Sequence, residues 1–140
     1  MSDFSANLIT DLRAHAGQPT SGPFVGRPLL ILGTTGAKSG EHRETPLVYS
    51  RDGDTYVVIA SKGGAPTHPA WYFNIVADAR VTVEVGGETF STKARVASED
   101  ERRRLYDQHA AINPTFTEYE AKTSRVIPVI ILEREASAAA

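Results

Sequence analysis

The sequence predicts a mainly β domain with flanking helices, arranged as a small closed or nearly closed antiparallel barrel. Three observations point there. Two strand pairs each straddle a tight-turn signal, two short apolar runs stand near the beginning and end of the chain, and helical patterns occur only at the connections. Six short strands of this kind would leave exposed edges in an open sheet, and closure removes them. A β-sandwich is the structural alternative, because strand patterns alone do not separate it from a barrel. With 140 residues, 41% of them apolar, the chain has material for one core, so residues 1–140 are read as a single domain.

The first element is an amphipathic helix at about residues 3–16. Phe4, Leu8, Ile9 and Leu12 recur at helical spacing, Ser2 or Asp3 offers a cap, and Gly17 with Pro19 ends it. Its polar face is not strongly basic, which favours packing against the domain or a second copy over a membrane-surface role. Pro19 to Pro28, rich in Gly, Pro and Ser, is a loop. Leu29-Leu30-Ile31-Leu32 is an apolar run short enough for a buried strand, breaking at Gly33 into a polar loop from Thr34 to Glu44. Pro46 to Ser50 and Thr55 to Ala60 flank Arg51-Asp52-Gly53-Asp54, where Asp-Gly signals a hairpin turn. In a second hairpin Val81, Val83 and Val85 alternate before Gly86-Gly87, and Phe90, Thr92, Ala94 and Val96 alternate after it. Ser98 followed by Glu101 is a capping box that opens a helix through about His109. Ile127 to Leu132 is a last buried strand, interrupted by Pro128, and the Ala-rich tail frays.

Composition excludes several function classes. Fifteen basic against 17 acidic side chains, a net charge of -2, give no general attraction to nucleic acid or an anionic membrane, so any anion site is local. The absence of cysteine removes disulfides, thiolate metal sites and cysteine nucleophiles. The first twenty residues hold Asp3 and Asp11 and no long apolar run, reading neither as a signal peptide nor as a membrane span; cytoplasm is the expected location. His15, His42, His68 and His109 are too dispersed for a zinc pattern and read as surface or cap residues, so no metal is expected. Ser61 lacks the context of a nucleophile elbow.

Three segments can carry chemistry. Gly33 to Arg43 is a strand-exit loop with three glycines, hydroxyls and the cations Lys38 and Arg43, able to present N–H groups and positive charge to phosphate or carboxylate oxygens. It lacks the Walker A spacing, and taken alone such a loop is more often a solvated connection than an anion site. Ser61 to Asn74 leaves a strand through Gly63-Gly64 and enters a short aromatic helix. There the glycine pair permits close backbone approach by a flat ligand, Ser61 and Lys62 supply polar contacts, and Trp71 offers apolar area. The alternative is that Trp71, Tyr72 and Phe73 plug a barrel end. Ile112 to Tyr119 starts a second helix with Phe116 and Tyr119 on one face, as pocket wall or as core.

Read together and in order, Thr35-Gly36-Ala37-Lys38-Ser39-Gly40, Arg43-Glu44-Thr45-Pro46-Leu47, Ala60-Ser61-Lys62-Gly63-Gly64 and His68-Pro69-Ala70-Trp71-Tyr72-Phe73-Asn74 resemble the deazaflavin-dependent nitroreductase family. The resemblance runs from about Pro28 to Leu132. It implies a split β-barrel, similar to the flavin-reductase-like and pyridoxamine-oxidase-like barrels, that binds coenzyme F420 in place of FMN. By that resemblance Lys38 and Arg43 hold the cofactor's phosphate and oligoglutamate tail. Ser61, Lys62, Gly63 and Gly64 lie along the deazaflavin ring, with Pro46, Trp71, Tyr72 and Asn74 nearby. The implied reaction passes a hydride from the reduced deazaflavin to an electron-poor acceptor: a quinone, an enone or coumarin-type lactone, or a nitro compound. Ser61 is the candidate to hydrogen-bond the acceptor oxygen, and Tyr119 the candidate wall or proton source.

Where nitroimidazole-reducing members carry several tyrosines around the substrate pocket, this chain has Val48, Asn113 and Phe116 and keeps Tyr119, which implies a more apolar pocket. The alternatives are a non-catalytic deazaflavin or flavin carrier and an FMN-dependent oxidase of the related barrels. The expected partner is a small-molecule acceptor, and the expected assembly a monomer or homodimer.

Overall fold

Valines at every second position build the hairpin that anchors the sheet. Strand β5 (Arg80–Val85) pairs antiparallel with β6 (Glu88–Val96), Val83 opposite Phe90, and Val81, Val83, Phe90 and Ala94 are buried on one face. The other strands are β1 (Leu29–Thr35), β2 (His42–Val48), β3 (Ser50–Asp52), β4 (Thr55–Ile59) and β7 (Val129–Arg134). All seven form one antiparallel sheet in the order β2-β1-β5-β6-β7-β4-β3. Four helices flank it: α1 (Asp3–Ala14), α2 (Ala70–Ala77), α3 (Glu99–Ile112) and α4 (Thr115–Ala121). The computed structural model describes residues 3–135; a cap at Ser2 and the Ala-rich tail lie outside the described residues. Among the described residues no helix is long and apolar enough to cross a membrane.

The apolar runs are continuous because both faces of the sheet are covered. On one face Leu30, Leu32, Val58, Val81, Val83, Phe90, Ile130 and Leu132 form the interior of the curl, plugged by Trp71 and Ile75 of α2. Their alternating neighbours face the other way. Val57, Ile59, Val129 and Ile131 meet Leu105 and Tyr106 of α3 and Phe116 of α4, while Leu29 and Ile31 meet Leu8, Ile9 and Leu12 of α1. The capping box at α3 is formed, Ser98 N–H donating to Glu101 Oε1 at 3.0 Å and Glu101 N–H to Ser98 Oγ at 3.4 Å.

Four expectations are corrected. The run from Pro46 to Ser50 is two strands, not one. Leu47 and Val48 pair with β1, Tyr49 gives its N–H to Pro28 O, and Ser50 pairs with Val57 of β4. Because β2 and β3 lie at opposite ends of the sheet, this step through Tyr49 ties the two edges together and curls the sheet toward closure. Next, β1 does not break at Gly33. A Cβ there would stand 2.2 Å from Thr82 Oγ1, so the glycine serves close strand packing and the strand runs on to Thr35. Pro128 does not interrupt the last strand but precedes it. Finally, α3 runs on to Ile112, and His109 within it is fully buried rather than at the surface.

Candidate functional site

The β1–β2 turn, residues 36–41, is built by its own hydrogen bonds. Gly36 N–H reaches Glu41 O at 2.7 Å, Gly40 N–H reaches Gly36 O at 2.9 Å, and Glu41 N–H reaches Ser39 Oγ at 3.1 Å. Asn74 of α2 clamps it from the side. Its Oδ1 accepts from Ala37 N–H at 2.9 Å and its Nδ2 donates to Thr34 Oγ1 at 3.1 Å. Both ends of the Asn74 amide are therefore engaged by protein, and the residue shapes the site it lines.

Between this turn and α2 opens a cleft of about 970 Å³. Lys38 and Arg43 bring positive charge to it, His42 lines it beside them, and Trp71 and Phe73 bring apolar area. Lys38 is exposed and makes no ion pair among the described residues. Arg43 pairs with Glu41 at 3.1 Å, both exposed, an arrangement worth little in water and readily exchanged for an anionic ligand. Glu44 is held by Arg13 of α1, which also binds Glu84 at 3.1 Å, so its negative charge is offset in part. Of the residues expected at the site, Lys38, Arg43, Trp71 and Asn74 meet in this cleft.

Ser61, Lys62, Gly63 and Gly64 form a separate turn after β4. Lys62, Gly63 and Gly64 all have positive φ, at 48°, 63° and 81°. For Lys62 this left-handed conformation costs on the order of 1 kcal/mol, which the surroundings must offset. A Cβ on Gly64 would meet Tyr119 O at 2.7 Å and Lys122 Cβ at 2.9 Å, whereas one on Gly63 would meet nothing within 4 Å. Gly64 thus lays its bare Cα against α4, and only Gly63 faces open space. The same contact brings the Ser61 segment beside Tyr119. Ser61 is buried, and the Lys62 Nζ reaches Thr67 Oγ1 at 3.3 Å. Tyr72 stacks on His68 with ring centroids 4.6 Å apart, and Pro46 sits in β2 opposite Ile31.

Val48, Phe116 and Tyr119 gather in the core beneath α3 and α4, with the Phe116 and Tyr119 rings 5.2 Å apart. Phe116 stands edge-on to His109 at 4.4 Å, and Tyr106 Oη donates to Phe116 O at 2.6 Å. His109 Nδ1 lies 2.8 Å from Ser50 Oγ, and burial pushes its pKa down to about 4. Asn113 Oδ1 accepts from Arg27 at 3.3 Å, while His109 Nε2 and Asn113 Nδ2 are buried without a partner among the described residues.

Sequence reasoning missed Arg125, whose guanidinium bonds the Ser61 turn, and His42 and Phe73 in the cleft. Phe73 left a signal as an aromatic two positions from Trp71, on the other side of a short helix. Arg125 left none.

The sequence pattern of the family described as F420H(2)-dependent quinone reductase matches residues 8–134. The chain belongs to this family. An F420H(2)-dependent quinone reductase of Mycobacterium tuberculosis is 42% identical to it over 110 residues, 76% of this chain and 74% of that protein. Two solved structures match at 41% identity and TM-score 0.71 over 76% of this chain. One is described as the F420-H2 dependent reductase FDR-A and is covered to 95%, the other as a domain-swapped dimer and is covered to 81%. A pyridoxamine 5'-phosphate oxidase-like structure from Listeria innocua, 10% identical with TM-score 0.55, shares the fold over 96% of this chain and 95% of its own. The curled seven-stranded sheet is thus a split barrel, and the family's cofactor is coenzyme F420.

Proposed function

We propose that the cleft between residues 36–41 and α2 takes the anionic tail of F420, and that the Ser61–Gly64 turn lies along the deazaflavin ring. On this reading the protein passes a hydride to an electron-poor small molecule, a quinone first among them. Membership of the family makes the chain an F420H2-dependent oxidoreductase, which puts the reductase ahead of a non-catalytic carrier. The observation that carries the cofactor's placement is one cleft, about 970 Å³ in volume, joining Lys38, without an ion pair among the described residues, and a loosely paired Arg43 to the aromatic side of α2. An anionic, partly flat group needs that combination, and the volume suits a cofactor-sized ligand.

When bound, the reduced deazaflavin supplies the hydride. The chain's own residues do the rest. Lys38 and Arg43 neutralise phosphate and carboxylate oxygens. Trp71 and Tyr72 would exclude water beside the ring, Pro46 and Asn74 would hold the walls, and Lys62 with Gly63 would line the ring's side of the site. Ser61 would donate a hydrogen bond to the acceptor oxygen, and Tyr119 would wall the pocket or supply the proton that the acceptor takes up with the hydride. With the apolar Val48 and Phe116 packed behind Tyr119 where hydroxyls would favour nitroimidazoles, quinones and conjugated lactones are the better acceptors.

The test is titration of the purified protein with F420 and, separately, FMN, followed by oxidation of reduced F420 with menadione. Tight F420 binding with menadione-dependent loss of the reduced form is expected. Binding without turnover would return the carrier, FMN preference the oxidase, and failure to bind F420 would refute the proposal.

A further inference from the structure

We propose that Arg125 is the positioning residue of the ring-binding turn. This rests on the reading that the Ser61–Gly64 turn receives the deazaflavin ring. Arg125 lies between α4 and β7, and every acceptor its guanidinium reaches belongs to one stretch of chain, residues 60–68. Nη1 donates to Ala60 O at 3.1 Å and to His68 Nδ1 at 2.7 Å, Nη2 to Ser61 O at 2.8 Å, and Nε to Ala65 O at 3.1 Å. Three of the four acceptors are backbone carbonyls that bracket Lys62, Gly63 and Gly64, the residues with positive φ.

The turn is gripped from two sides. Arg125 holds its carbonyls, and α4 leaves no room for a Cβ at Gly64, 2.7 Å from Tyr119 O. A left-handed conformation that includes a non-glycine residue persists only where the surroundings over-determine it, and these two contacts do so. The fourth acceptor extends the grip. His68 precedes α2, and its ring packs on Tyr72 at 4.6 Å and Phe73 at 5.8 Å. Since Arg125 donates to Nδ1, the neutral imidazole carries its proton on Nε2. One guanidinium therefore couples the ring-binding turn to the helix that walls the tail-binding cleft.

Arg125 makes no ion pair among the described residues. Its charge is solvated by carbonyl oxygens and is not cancelled, so it lends a positive potential to the turn from behind. Lysine cannot replace it, because a single ammonium with three donors does not span a planar set of four acceptors.

The experiment measures F420 affinity and steady-state menadione reduction for the wild type, Arg125→Lys and Arg125→Ala, with thermal melts to verify folding. Both variants are expected to weaken F420 binding by about tenfold, the scale of one lost charge-assisted hydrogen bond. Menadione turnover is expected to fall alongside F420 affinity, since Ser61, whose hydroxyl meets the acceptor, sits on the turn that Arg125 holds. Added ethylguanidinium is expected to restore F420 binding to Arg125→Ala, and ethylammonium to leave it unchanged. Folded variants with wild-type affinity, or a loss that ethylguanidinium does not repair, would overturn the assignment. If Arg125→Ala does not fold, His68→Leu removes one acceptor only and is expected to weaken F420 binding by about threefold; unchanged affinity there counts against the proposal. A wild-type chain that fails to bind F420 would instead overturn the proposed function, and this inference with it.

Discussion

Acidification from pH 7 to 4.5 is expected to remove roughly 2 to 3 kcal/mol of folding stability through one side chain, His109. The imidazole is 0% exposed, edge-on to Phe116, with Nδ1 against Ser50 Oγ and Nε2 unpartnered among the described residues. Desolvation alone pushes its pKa down to about 4, from an ordinary value of 6.5. The folded value lies below the unfolded one, so the unfolded chain takes up the proton first as pH falls. The stability of the neutral, buried ring is fully present above pH 6.5 and drains away between 6.5 and 4, at up to about 1.4 kcal/mol per pH unit. A loss of that size is a large part of the 5–15 kcal/mol or so that holds a domain. Urea melts of the wild type and His109→Gln at pH 7, 6, 5 and 4.5 read it directly. The variant is expected to be less stable at pH 7, but its decline to pH 4.5 to be shallower by roughly 2 to 3 kcal/mol. Other carboxylates and histidines titrate in both proteins and cancel. Parallel declines would refute the argument that His109 stays neutral because it is buried.

Lys38→Ala and Arg43→Ala are each expected to weaken F420 binding by about tenfold, with the melting temperature unchanged and the remaining affinity less sensitive to salt. Equal affinity and equal salt dependence would move the anionic tail elsewhere. Gly64→Ala is expected to destabilise the fold by about 2 kcal/mol or more and Gly63→Ala by about 1, since both have positive φ but only Gly64 meets α4; urea denaturation compares them, and equal losses would remove the α4 contact from the account. Ser61→Ala is expected to keep F420 affinity and lower menadione turnover by about tenfold, measured by loss of reduced F420 absorbance. Full turnover would take Ser61 out of the mechanism.

What the chain made legible, and what it hid, divides along the range of the interactions concerned. Both hairpins and the α3 capping box were readable because a turn dipeptide, a two-residue alternation or a Ser-to-Glu spacing acts between near neighbours. The split at Tyr49 was not, because Pro46 to Ser50 has the same extended pattern whether it pairs with β1, with β4, or passes from one to the other. Gly33 misled for a related reason, since a glycine that ends a strand and one that admits a close neighbour are the same letter. His109 did leave a trace: Leu105, His109 and Asn113 recur every four residues, the stripe of a helix face turned to the core. Histidine also suits a surface, so the stripe alone does not put His109 in the core. The site follows the same division. Lys38, Arg43 and Trp71 could be picked out because cations and a large aromatic declare their chemistry by type, and the structure brings them to one cleft. Arg125 could not be, because its acceptors are mainly backbone carbonyls some sixty positions away, and every residue has a carbonyl. A side chain that works through backbone is therefore invisible until the fold is known, and such residues are the ones to look for wherever a binding turn holds a conformation its own sequence disfavours.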